Sequence, residues 1–172
     1  DVYKRQLLRK WGSEGNSDNQ FSSPAGITIG SDGLVYVASR NHHKVKVFQK
    51  NGTYVRSFTT LKSDGATAYY PHDLCFVGSR IAVAYGAGSY GHFVRIHETN
   101  GTQVTTFGTG EVGSSDGQID RPYYVTTDAA GNLLVSDHYN HRIQVFDTNG
   151  TYLRKFGFKG DQYFDPTGLL VD

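Results

Sequence analysis

Three histidines, His43, His92 and His141, recur at spacings of 49 and 49 residues, and imidazoles in such a series could hold a metal ion if the fold gathered them. His42 and His43 are adjacent, so on a strand they would point to opposite faces and could not share one ion. The single cysteine, Cys75, lies in the alternating run Asp73-Leu74-Cys75-Phe76-Val77, which reads as a packed strand position. One cysteine excludes an internal disulfide and a cysteine-based zinc site. The sequence holds no Gly-x-Ser-x-Gly elbow, no Walker-type phosphate loop and no paired-carboxylate motif. The expectation is a chain with no catalytic residue, no cofactor and no metal. Asn51, Asn100 and Asn149 each open an Asn-Gly-Thr triplet, which is an acceptor for an N-linked glycan as well as a turn signal.

The elements that must carry these residues are set by a repeat. Pro24, Pro71, Pro122 and Pro166 lie 47, 51 and 44 residues apart, and the three Asn-Gly pairs share the 49-residue spacing of the histidines. Within one unit, from Pro122, the runs YYVTTD, LLVSD, RIQVFD and TYLRKFG alternate with period two between Gly, Asn and Asp punctuation. The unit from Pro24 repeats that order, and Asn-Gly between two alternating runs predicts a tight type I′ hairpin. Four short antiparallel strands per repeat make an all-β chain, and a repeat of 44 to 51 residues is that of a β-propeller blade. No blade buries its own faces, so each needs neighbours.

The segment Asp137-His138-Tyr139-Asn140-His141-Arg142-Ile143-Gln144-Val145-Phe146-Asp147, with Pro122 before it and Phe156-Gly157 after it, resembles an NHL repeat. The resemblance extends over nearly the whole chain. It implies three full repeats, about 21–68, 69–118 and 119–163, in a propeller segment spanning 7–172, with half-blades at both ends. Leu8-Arg9-Lys10-Trp11-Gly12 matches Leu153-Arg154-Lys155-Phe156-Gly157, and FDPTGLLVD at 164–172 matches the start of a further unit. Propellers of this family with six blades would make this about half a ring. The second unit departs most, with Gly88 where the third has Asp137. Lys4-Arg5 stand where the Asn149-Gly150 turn would fall, so residues 1–6 read as non-native or as a truncation boundary, and the absence of any methionine reads as a processed product or fragment.

In that frame the in-phase histidines fall on three different blades, near a strand-to-strand loop that they would cap. The residues around each proline vary where the framework does not. Tyr69, Tyr70, His72, Arg121, Tyr123 and Tyr124 are expected to cluster at the channel rim on two neighbouring blades. Aromatic rings beside Arg and His suit a peptide, a sugar or unstacked bases. Arg40, Lys44, Lys46 and Lys50, with His42 and His43, form a basic patch, and alternation places Lys44 and Lys46 on an outward, solvated face.

The 172 residues suit one domain, and no apolar run is long enough to span a membrane as a helix. A net charge of +1 gives no overall attraction to nucleic acid or anionic lipid. The function expected is a scaffold for a protein partner or for further copies of the chain, joined head to tail through the half-blades. The alternatives are RNA recognition, as in the NHL half of RING-type ubiquitin ligases, and a channel-centred lyase or hydrolase. RNA is not favoured, and no RING or B-box cysteines are present. The three glycan acceptors favour an extracellular location.

Overall fold

Strands β1 to β4 take Pro24–Ile29, Val35–Ser39, Lys44–Phe48 and Tyr54–Thr59. Strands β5 to β8 take Tyr70–Val77, Arg80–Ala87, Phe93–His97 and Gln103–Phe107, and β9 to β12 take Pro122–Thr127, Leu133–Asp137, Arg142–Phe146 and Tyr152–Phe156. The structure, a computed structural model, describes residues 9–60, 69–87 and 91–157. Each group of four strands pairs in chain order as one antiparallel sheet, so the described residues form three up-and-down blades.

Alternation explains why the blades stack. On β6, Ile81, Val83 and Tyr85 meet Tyr36, Ala38, Val45 and Val47 of the first blade. Their neighbours Ala82 and Ala84 turn the other way, into a cluster with Val125, Leu133, Val135 and Phe146 of the third. A strand buried on both faces must be apolar at every position, which is why Ile81-Ala82-Val83-Ala84-Tyr85 reads as a continuous run. Full burial of each large side chain contributes about 1.5–3 kcal/mol.

The hairpin turns differ from the type I′ expectation. Gly52 donates its N–H to the Gln49 carbonyl at 2.9 Å, and Gln49 pairs with Thr53 around it. Gly52 has a φ of +92°, while Asn51 stays in the ordinary region. The loop is therefore three residues, a type I turn closed by a left-handed glycine. Asn51 Oδ1 accepts the Thr53 N–H at 2.9 Å, and Asn100 does the same for Thr102. In the third blade Asp147 takes that role, accepting from both Asn149 and Thr151.

His42 and His43 are not on a strand. Arg40–His42 form a 3₁₀ turn between β2 and β3, and His43 ends it in the left-handed region, with its N–H on the Arg40 carbonyl. His138–Asn140 and His141 repeat this in the third blade. At the N-terminal side, residues 9–12 form no strand. Trp11 instead packs with Phe21 against Val35, Val37 and Phe48 on the outward face of the first blade. The half-unit at 164–172, the Gly88 loop and residues 1–6 lie outside the described residues.

Candidate functional site

The innermost strands β1, β5 and β9 run side by side, and their first residues after proline border one cavity of about 590 Å³. Strand β5 supplies His72 and Asp73, and β9 supplies Tyr123 and Tyr124. Strand β1 supplies Gly26 and Ile27, and Arg40 reaches the same space from the 3₁₀ turn of the first blade.

The aromatic wall is ordered by stacking. The His72 imidazole lies parallel to the Tyr123 ring, with centroids 4.6 Å apart and planes within 9°. His138 meets the Tyr123 ring edge-on at 4.3 Å. Burial pushes the His72 imidazole down to about 4, helped by the positive charge of Arg40 and then His138. His72 is therefore uncharged at neutral pH. Burial also pushes the Asp73 carboxyl above its ordinary range, while the Val125 and Leu74 amides pull against that shift. Asp73 Oδ2 accepts the Val125 N–H at 3.1 Å, across the blade boundary.

Two polar atoms at this cavity are buried without a hydrogen-bond partner, Arg40 Nε and His72 Nε2. A buried donor left unmatched costs about 1–3 kcal/mol, so orphans of this kind call for an explanation.

The expected rim group separates into four places. His72, Tyr123 and Tyr124 come together at the cavity. Tyr69 does not reach it: it is buried in the blade core, 4.8 Å from the Phe93 ring, under the Arg95 guanidinium. Tyr70 is half-buried against His43, with centroids 4.5 Å apart. Arg121, at a left-handed φ of 53°, lies 4.2 Å over the Tyr139 ring on the loop side.

The basic patch also divides. Lys44 is half-buried and Lys50 is exposed, but Lys46 is 2% exposed and does not belong to a solvated face. Its ammonium donates to the carbonyls of Ser17, Asp18 and Gln20, which clamps the loop before β1 onto β3. The third blade uses Arg142 and Gln144 for the same task, holding Ser114, Ser115 and Gln118 carbonyls of the loop before β9. Asp137, fully buried, accepts from Arg142 Nε at 2.6 Å and from Asn140, Gln144 and the Asp120 amide. The signal for these clamps is in the sequence, where Ser17-Asp18-Asn19-Gln20 recurs as Ser115-Asp116-Gly117-Gln118. Each Gln folds back to accept the amide of its Ser at 3.1 Å.

The periodic histidines are not equivalent. His43 and His141 cap their 3₁₀ turns through the backbone, whereas His92 is buried and accepts the Arg121 N–H at Nδ1. Among the described residues no group of three or more His, Cys, Asp or Glu could hold a metal ion. Cys75 is half-buried against the second core, and burial pushes its thiol up to about 12. Asn51, Asn100 and Asn149 are all exposed on their turns. Among the described residues no helix is long and apolar enough to cross a membrane.

The NHL repeat family model matches residues 21–48 and 124–146. Protein brain tumor of Drosophila melanogaster is 27% identical over 68 residues, which are 40% of this chain and 7% of that protein. Virginiamycin B lyase from Staphylococcus aureus matches in structure with a TM-score of 0.60 at 18% identity, over 81% of this chain and 43% of that one. The Neurospora crassa Pan2 WD40 domain matches with a TM-score of 0.55 at 15% identity, over 83% and 40%. The chain thus spans less than half the length of each of these relatives, and the two structural likenesses are of fold alone. Both matched segments fall on blades of the expected four-stranded form, so the chain carries NHL repeats on a β-propeller frame.

Proposed function

We propose that this chain is a non-catalytic binding module for a protein partner, with the cavity between the inner strands as its contact point. NHL propellers commonly serve protein interaction, and the observation that carries the reading here is the meeting of Arg40, His72, Tyr123 and Tyr124 around one open space. Aromatic walls with a few polar groups are the make-up of sites that orient a ligand. The burial of Lys46 favours protein over RNA, since it removes one of the four charges of the basic patch. The raised thiol of Cys75 and the use of Asp73 by a backbone amide favour binding over catalysis. Selection from a random peptide display library tests the reading. Enriched peptides should bind the wild-type chain and lose roughly tenfold in affinity with Tyr124→Ala, which is about 1.4 kcal/mol. Peptides that bind Tyr124→Ala as well as wild type would overturn it.

A second reading, assembly with further copies, rests on a separate observation. Ile27 and Ile29 on β1 are 62% and 59% exposed, while Leu74 and Val125, at the register of Ile27 in the other blades, are buried against the blade before them. A blade face of the same chemistry fits that surface, and a second copy can supply one. Light scattering of the 172-residue chain at micromolar concentration should then show a multimer that Ile29→Lys dissociates. A monomer would sink this reading and leave the first intact.

A further inference from the structure

We propose that the group this cavity captures is a carboxylate carried on a peptide, held by the Arg40 guanidinium and His72 Nε2, with the neighbouring residue of the peptide lying against Tyr124. The inference rests on the cavity being the binding site. Arg40 Nε and His72 Nε2 are both buried, both lack a hydrogen-bond partner, and both belong to residues that border the same space. A single acceptor group that reached both atoms would satisfy both. The Nε–H and the adjacent Nη–H of an arginine form a fork that matches the two oxygens of a carboxylate.

The charge inventory selects the class of anion. Asp73 is the carboxylate of the cavity, and its Oδ2 is taken by the Val125 amide. A Cβ added to Gly26 would meet the other oxygen, Oδ1, at 2.4 Å, so that oxygen is pressed against β1. Among the described residues Arg40 forms no ion pair. Arg40 therefore has one positive charge to offer, and His72, uncharged at neutral pH, adds a hydrogen bond without adding charge. A single carboxylate takes up that one charge. A phosphate dianion would bring a second negative charge beside Asp73 with nothing to offset it. The volume of about 590 Å³ admits a side chain together with its neighbour along a peptide. Ile27 and the Tyr124 ring supply the apolar contact that a free small acid would leave unused.

The test is a titration followed by NMR at the Arg40 Nε–H and the Tyr124 ring. The probes are N-acetyl-Phe-Glu-amide, N-acetyl-Phe-Gln-amide and sodium acetate. The Glu probe should move both signals and bind at least about fivefold tighter than the Gln probe. Acetate at the same concentration should leave Tyr124 unmoved. Arg40→Gln should erase the preference for Glu, and unchanged Val83 and Val135 signals would show that the blades remain intact. Equal binding of the Glu and Gln probes would overturn the carboxylate while leaving the cavity as the binding site. Acetate binding as tightly as the Glu probe would assign the site to free small acids and overturn the peptide. No movement at Arg40 or Tyr124 with any probe would overturn both the inference and the reading beneath it.

Discussion

The Asp73 carboxylate accepts the Val125 amide at 3.1 Å, joining the innermost strands of two neighbouring blades by a hydrogen bond that neither sheet supplies. On the other side, Asp73 lies so close to β1 that a Cβ on Gly26 would meet the Asp73 Cα at 2.6 Å. Gly26, Asp73 and Val125 thus set the spacing of the three strands that frame the cavity.

Removing that tie should be felt in stability. Asp73→Ala leaves the Val125 N–H without its acceptor and should cost about 1–3 kcal/mol, read from chemical denaturation. Gly26→Ala, which presses β1 against the Asp73 backbone, should cost a comparable roughly 1–3 kcal/mol. Neutral results for both would mean that the inner strands are spaced by the blade cores alone.

The clamps on the loops before β1 and β9 should differ in strength. Arg142→Met strands the fully buried Asp137 carboxylate and should cost about 3–5 kcal/mol, as broken buried ion pairs do. Lys46→Met removes a buried ammonium but leaves only carbonyls behind, and should cost about 1–3 kcal/mol. Equal losses in the two variants would contradict the account of Asp137 as the dependent partner.

Stability should fall on mild acidification. Burial holds His72, His97 and His42 below the ordinary histidine value, so the folded chain binds fewer protons than the unfolded one in that range. Their contribution is complete above about pH 6.5 and is lost as pH falls from there toward about 4, the value of His72. Asp73 and Asp137, raised by burial, act in the opposite sense nearer pH 4. The urea midpoint should therefore drop between pH 6.5 and 5, with a shallower slope in His72→Gln. A midpoint independent of pH over that window would contradict the neutral, buried His72.

The strands, their order and the blade repeat were legible because alternation and glycine punctuation are local properties of the chain. Much of the site was not. Alternation assigns Lys46 to a face of β3 but cannot say that residues 17–20 fold over that face and bury it. It treats Tyr69 and Tyr70 as rim residues alike, although Arg95 and Phe93 cover the first. The basic neighbours of Arg40 assign it to a basic patch, and the 3₁₀ turn that carries it to the cavity has no strand-like pattern to reveal it. The Asn-Gly pairs did mark the hairpins, but only the glycine needs the left-handed region.

Gly52→Ala places a Cβ 2.4 Å from Trp11 Cγ at a φ of +92°, and it should destabilise the chain by about 1 kcal/mol or more. Asn51→Ala loses only the bond to the Thr53 amide, about 0.5–1.5 kcal/mol. A larger loss at Asn51 than at Gly52 would restore the type I′ turn.

The most direct measurement of the central claim is amide hydrogen exchange with and without a saturating selected peptide. Protection should appear on the inner strands, at His72–Leu74 and Tyr123–Val125, and at the Arg40 turn. Protection confined to the outer strands β4, β8 and β12, with the inner strands unchanged, would contradict a binding site at the inner cavity.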